Sequence, residues 1–332
     1  MLFDVITIGA ATRDAFIKSK YFKLLSSPEF ISGEGLCLPA GAKIDVEDIV
    51  FATGGGATNA AVTFARQGFK TAALCRIGED VSGREVLTDL NADDINTGYV
   101  IRCQKEKTAY SMLILSESGE RTVLVYRGAS ENIEPADISK TVSAKWFYLS
   151  GALDIKVVER VLKIAGEASV PVAFNPANRE LKLGLGKLKD ILGEVNVLIL
   201  NREEGAYLTK IDYRDESRIF KKLDEYVKGM VVLTDGQRGA LVSDGRTLYR
   251  AGVYPEQKVM DKTGAGDAFG SGFVAGLIKT NNIECAFQLA SANATSVVEK
   301  IGAKPGILSA KDFTENARWR RGLKISKENL SL

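Results

Sequence analysis

The chain has 332 residues, is 45% hydrophobic and 26% charged, carries a formal net charge of +2, and contains no histidine. This is an ordinary globular composition, long enough for one large core or two smaller ones, and without a long basic run it speaks against nucleic acid or a membrane surface as the main partner. The missing histidine excludes a Ser-His-Asp triad, a Cys-His pair and a His-bound zinc site. No G-x-x-x-x-G-K-[ST] string is present either. Cys37, Cys75, Cys103 and Cys285 are scattered without CxxC spacing, which points to reduced thiols in a cytoplasmic protein. No apolar run reaches membrane-spanning length, and Met1-Leu2-Phe3-Asp4 enters a strand pattern directly, so neither a span nor a secretory signal is expected.

Phe3–Gly9 is rich in Val and Ile and ends at Gly9-Ala10-Ala11, which predicts a buried strand running into a loop. Asp14 follows just past that end, where open α/β sheets place ligands. A turn or capping role fits its spacing equally well. Lys18 to Ile49 has no long helical period and carries Pro28, Pro39 and several glycines, so turns and short strands are expected. Thr53–Gly68 reads TGGGATNAAVTFARQG, a glycine-rich entry to a helix that Gly68 would stop. Its glycines do not keep the G-x-G-x-x-G spacing of a dinucleotide fold. Thr108–Leu115 and Arg121–Tyr126 are strand-like, joined through Glu117-Ser118-Gly119-Glu120 as a hairpin.

The middle of the chain alternates strand and helix. Ala72–Ile77, Trp146–Leu149, Val170–Phe174, Val195–Leu200 and Met230–Thr234 read as buried strands. Helical patterns such as Val157–Ala168 and Glu216–Val227 separate them, which predicts a mostly parallel sheet between helices. Asn201-Arg202-Glu203-Glu204 fits a helix cap with Glu204 closing a capping box, and it also sits at a strand end where a ligand could lie. Thr234-Asp235-Gly236-Gln237-Arg238-Gly239 either turns a hairpin into Ala240–Ser243 or lets backbone approach a ligand. Last comes Asp261-Lys262-Thr263-Gly264-Ala265-Gly266-Asp267-Ala268-Phe269, followed by the helical pattern Phe273, Val274, Leu277, Ile278. Gly264, Ala265 and Gly266 fall at the helix start, where free N–H groups and the positive dipole end make an anion hole. Asp267 falls in the first turn beside it, where a carboxylate can take a proton from a substrate hydroxyl.

The strings Gly54-Gly55-Gly56-Ala57-Thr58-Asn59 and Asp261 to Phe273 resemble the two signatures of the ribokinase-like (PfkB) family of sugar and nucleoside kinases. The resemblance runs from Gly9 to about Gly306. It implies a single ribokinase-like α/β domain over 1–332, with a small β-sheet lid built from segments of about 16–49 and 108–127. It implies that Asp267 is the catalytic base and that Gly264, Ala265 and Gly266 form the hole for the phosphoryl group in transfer. Asp14, five residues after Gly9, would hold the acceptor together with Thr12, Gly55, Gly56 and Asn59. Asn201 and Glu204 would position phosphate and the water shell of Mg²⁺. Thr234, Gly236 and Gly239 would approach ATP, and the stretch Ser291 to Asn293 lies where adenine contacts fall, with Asn293 taken as the contact. Asp261, Thr263 and the loop Gly302-Ala303-Lys304-Pro305-Gly306 correspond to a monovalent-cation (K⁺) site. The pattern is departed from at Lys262, where Thr is commoner, and at Gly56, where ribokinases often carry Lys. Ser150-Gly151 stands where a ribokinase offers an acid, and Arg127 is placed like the Tyr-Arg pair of sugar-acid kinases.

The expected function is ATP-dependent transfer of a γ-phosphoryl group to a hydroxyl of a sugar, sugar acid or nucleoside. Gly56, Gly151 and Arg127 favour an acceptor with an anionic group or an extended ring system over bare ribose. Two other readings remain: a sugar- or nucleotide-binding regulator without catalysis, and a nucleotide-dependent oxidoreductase on a doubly wound sheet. The retained Asp267 argues against the first, and the missing glycine fingerprint against the second. Phe22, Leu36, Leu38, Met112 and Ile114 in the lid segments suggest a homodimer joined through the lids.

Overall fold

The computed structural model describes residues 2–30, 33–115, 121–139, 142–256 and 258–330. Nine strands form the main sheet. It runs from Ser326–Asn329 at one edge through Thr247–Ala251, Ala240–Ser243, Met230–Thr234, Val197–Asn201, Val172–Asn175, Ala144–Ser150 and Phe3–Gly9 to Thr71–Leu74. From Thr71–Leu74 to Met230–Thr234 every pairing is parallel, and the last three strands continue antiparallel.

The central strands are apolar through their middles because both faces are covered there. Alternate residues feed two separate cores. Ile6, Ile8, Phe147, Leu149, Leu198 and Leu200 pack with Val158, Val161 and Phe220 from the helices Ile155–Ala168 and Glu216–Asp224. Val5, Tyr148, Val197 and Ile199 pack with Phe64, Phe273 and Phe287 from the helices Gly56–Arg66, Ala265–Thr280 and Ile283–Val298. The second layer matters for function, because the helices that start at Gly56 and Ala265 both carry glycine-rich N-termini to the same end of the sheet. Among the described residues no helix is long and apolar enough to cross a membrane.

A smaller four-stranded sheet has the order Arg121–Tyr126, Ala109–Leu115, Thr12–Lys18, Asp48–Gly54. Only Ala10 and Ala11 separate Gly9 in the main sheet from Thr12 in the small one. This lid therefore begins earlier than 16 and ends later than 49. Between Lys18 and Asp48 a separate hairpin forms from Lys23–Ser26 and Glu34–Cys37. The expected turn Glu117–Glu120 lies outside the described residues. Across one face of the lid, Phe51, Ala15, Met112 and Leu124 stand in register. Phe51 and Leu124, on the two edge strands, are each 52% exposed, and Met112 between them is 38% exposed, an unusual cost for large apolar side chains in one row. Across the other face the row is Ala52, Asp14, Ser111 and Val125.

One expected strand is divided. Ala72–Ile77 breaks at Cys75: Thr71–Leu74 joins the main sheet, and Arg76–Gly78 pairs with Ile101–Cys103 instead. Arg76, the one charged residue of that run, falls directly after the break.

Candidate active site

The helix Ala265–Thr280 starts from Gly264, which has φ 79° and no side-chain cap. A Cβ at Gly264 would overlap Ala303, so position and conformation both require glycine. At Gly266 a Cβ would meet nothing within 4 Å, so the helix start is open on that side. Asp267, in that first turn, is half-buried. Its Oδ2 accepts a hydrogen bond of 2.8 Å from Asn59 Nδ2. Burial pushes the Asp267 carboxyl above the usual carboxylate range, while the donors Asn59 and Ser150 pull it back. Asn59 is itself buried on the helix Gly56–Arg66, and its Oδ1 has no partner among the described residues.

Ser150 ends the central strand Ala144–Ser150 and is buried. A Cβ on Gly56 would overlap its hydroxyl. The glycine that stands where ribokinases often carry Lys thus makes room for this serine. The two departures are one packing unit.

Asp14 lies inside the lid strand Thr12–Lys18, not in a turn. It is 5% exposed and accepts a 3.1 Å hydrogen bond from the Thr12 hydroxyl. Burial raises its carboxyl, and the hydrogen bonds from Ser111 and Thr12 oppose that. Gly54 abuts the carboxylate, where any side chain would collide with Oδ2. Gly55, at φ 96°, packs its backbone on Ala10 and Ala11. Asp14, Thr12, Gly54–Gly56, Asn59 and Asp267 are thus brought together. Arg127 is exposed at the end of the lid strand Arg121–Tyr126, before the short turn Gly128–Asn132. Ser130 in that turn clasps the loop from Gly9, accepting from Ala11 N at 3.1 Å and donating to Ala11 O at 2.5 Å.

On the other side of the Ala265 helix start lies a cavity of about 570 Å³. Thr234, Gly236 and Gly239 line it, as do Lys262, Ala265 and Gly266. Phe269, Ala294 and Val298 give it an apolar wall. Gly236, like Gly266, has open space where a Cβ would stand. The expectation for Asn293 is corrected: it is 1% exposed and does not line the cavity. Its Nδ2 donates to Ala268 O and its Oδ1 accepts from Leu308 N, each at 2.9 Å. Of the expected stretch Ser291 to Asn293 it is Ser291 that lines the cavity, and the same helix Ile283–Val298 adds Ala294, Thr295 and Val298.

The loop at Thr234–Gly239 is held by Asp235. It accepts from Arg202 Nη1 at 2.8 Å, from the Tyr213 hydroxyl at 2.6 Å and from Arg238 Nε at 2.8 Å. Burial alone would raise this carboxyl, but Arg238, Tyr213 and Arg202 outweigh it and hold it well below the usual range. Asn201 does cap the helix Arg202–Thr209, and Glu204 closes the capping box, with both bonds at 2.8 Å. Burial raises the Glu204 carboxyl, and the negative charges of Glu203 and Asp267 add to the rise while the Asn201 N–H opposes it. A cation here would relieve that repulsion. Among the described residues no group of three or more His, Cys, Asp or Glu is arranged to hold a metal directly.

Asp261 is 5% exposed. Its Oδ1 accepts from Thr263 N at 3.0 Å and from the Thr263 hydroxyl at 2.7 Å, and its Oδ2 accepts from Gly302 N at 3.1 Å. These bonds fix the loop 302–306 against the start of the motif. In that loop the buried Lys304 Nζ donates to Thr53 Oγ1 at 2.7 Å and to Asp89 Oδ2 at 2.8 Å, tying the loop to the lid and to the helix Val81–Ala92. Ser111 and Ser130 were not singled out in the sequence, and no short motif marks them.

The pfkB family carbohydrate kinase model matches residues 30–310. An uncharacterized sugar kinase from Archaeoglobus fulgidus is 30% identical over 251 residues, 73% of this chain and 96% of the relative. A cytidine kinase from Thermococcus kodakarensis is 27% identical over 82% of this chain and 95% of its own length. Among solved structures, a probable sugar kinase from Rhizobium etli superposes with a TM-score of 0.78 at 23% identity, covering 96% of this chain and 99% of that one. Arabidopsis thaliana ribokinase, solved with ribose and ATP, gives 0.77 at 20% identity, covering 95% and 98%. The fold is ribokinase-like, a parallel-stranded sheet between helices with a smaller sheet beside it. By the match across 30–310, the chain belongs to the pfkB family of carbohydrate kinases, phosphotransferases with a hydroxyl acceptor.

Proposed function

We propose that this chain transfers the γ-phosphoryl group of ATP to a hydroxyl of a sugar, sugar acid or nucleoside, with Asp267 as general base. One observation carries the reading. The Asp267 carboxylate accepts from Asn59, follows Gly266 at the edge of the open cavity, and so links that cavity to the helix that starts beside the Gly54–Asp14 contact. A nucleotide in the cavity therefore presents its terminal phosphate to the amides at the start of the helix Ala265–Thr280, while an acceptor held by Asp14 and Asn59 presents its hydroxyl to Asp267. The carboxylate takes the proton as the hydroxyl oxygen attacks, and the amides stabilise charge on the transferring group. Lid residues above Asp14 exclude water, the competing acceptor. Asn201 and Glu204 are the residues to hold Mg²⁺ through water, and such an ion would neutralise phosphate charge. Asp261, Thr263 and the loop 302–306 are the residues to hold K⁺ if activity proves cation-dependent. The four unpaired cysteines support a reducing, cytoplasmic setting.

The acceptor in this proposal carries an anionic group or an extended ring system. Gly56 and Ser150 support this by leaving a serine hydroxyl where ribokinases place longer polar groups, and Arg127 supports it as an exposed cation at the lid edge. The test is a coupled assay of ADP release over ribose, nucleosides, sugar phosphates and 2-keto-3-deoxy sugar acids. No ADP release with any acceptor would overturn the kinase reading. A preference for ribose of roughly tenfold or more in kcat/KM would overturn only the acceptor class.

A further inference from the structure

We propose that Lys262 is a phosphate-gripping residue of the nucleotide cavity, placing its ammonium on the terminal phosphates of a nucleoside triphosphate. The inference rests on the reading of that cavity as the ATP site. Lys262 is exposed and lines the cavity beside Ala265 and Gly266, the open helix start. Its backbone is clamped on both sides. Met260 N and Asp261 N donate to Val298 O at 2.8 and 3.2 Å, and Asp261 is in turn bonded to Thr263 and Gly302. On the far side Gly264 is locked against Ala303. The point where the side chain emerges is therefore fixed, although the side chain itself is long.

The charges around it favour an anion. Of the two acids lining the cavity, Asp235 is engaged by Arg202, Arg238 and Tyr213, which leaves Glu256 as the competitor for Lys262. Among the described residues Lys262 makes no ion pair. A flexible ammonium at the mouth of an anion hole supplies a point charge without demanding fixed geometry. It adds to the neutral amides of the helix start, which alone carry only partial charge.

The test is calorimetric binding of adenosine, AMP, ADP and the non-hydrolysable triphosphate AMP-PNP to the full chain and to Lys262→Met and Lys262→Arg. The Met variant should bind AMP-PNP roughly ten- to hundredfold more weakly, adenosine unchanged, and the loss should grow with each added phosphate. Raising ionic strength should weaken AMP-PNP binding less in the Met variant than in the parent chain. The Arg variant should recover most of the affinity. Equal losses for adenosine and AMP-PNP, or no loss for AMP-PNP, overturn the assignment while leaving the ATP site standing. A parent chain that binds no adenine nucleotide overturns both.

Discussion

Asp267→Asn is the substitution that bears most directly on the mechanism. The carboxylate oxygen that meets Asn59 Nδ2 at 2.8 Å can be replaced by the amide oxygen, so the side chain keeps its shape and this bond. The amide nitrogen then points at the acceptor and cannot take its proton. General base catalysis contributes about 10²–10⁴-fold, so kcat should fall by that factor, about 3–5 kcal/mol on the barrier. Nucleotide affinity should hold, because the cavity is lined by Gly266 and its neighbours and not by Asp267. The pH profile adds an independent mark. Burial raises the Asp267 carboxyl, so in the parent chain the base is protonated, and the rate lost, as pH falls through a value above the ordinary carboxylate range. Ser150→Ala removes one donor to the carboxylate and should move that acid limb to still higher pH, and Asp267→Asn should have no such limb. The assay is coupled ADP release with the best acceptor from pH 5 to 9, with thermal melts as a control for folding. Turnover above half that of the parent chain in Asp267→Asn would refute the assignment.

Asp14→Ala should raise KM for the acceptor much more than for ATP, by about 1.5–3 kcal/mol for a lost charge-assisted hydrogen bond. An unchanged acceptor KM would reduce Asp14 to a lid-strand residue held by Thr12 and Ser111. The exposed row Phe51, Met112 and Leu124 should bury itself against a second copy of the chain. Light scattering at micromolar concentration should then give a dimer mass, and Met112→Lys should shift it toward monomer. A monomer mass for the parent chain rejects the lid contact.

The α/β alternation was legible because its strands are uniformly apolar and its helices periodic. Strand boundaries were less so: Val172–Asn175 and Val197–Asn201 each begin two residues later than the apolar runs suggest. The lid was harder to read. Asp14 looked like a loop residue because the strand Thr12–Lys18 is defined by pairing with Asp48–Gly54 and Ala109–Leu115, segments far away in sequence. The glycines and acids of the two signatures were legible as a string whose parts share one chemistry. Ser150 was not, since a lone serine has no pattern. Its meaning appears only when Gly56 is seen to leave space for its hydroxyl. Asn293 was misplaced by one helical step, because a buried helix hides which of its neighbours faces the cavity. Ser291 and Ala294 do, and Asn293 turns inward to cap Leu308.

A chain without histidine has no side chain that ordinarily changes charge between pH 5 and 8. Proton exchange on approaching neutrality then falls to carboxyls that burial has displaced upward. These are Asp14, Glu204 and Asp267 at the reaction site, with Asp224 and Glu180 (pushed up to about 7) elsewhere. Three of these five carboxyls thus lie together at the proposed site. A ligand that brings negative phosphate or a cation among those three carboxyls changes how many protons they hold. Binding measured in two buffers of different ionisation heat will register that exchange as a difference in apparent enthalpy. The charge state of the site can therefore be counted in the unaltered protein, with neither a label nor a turnover.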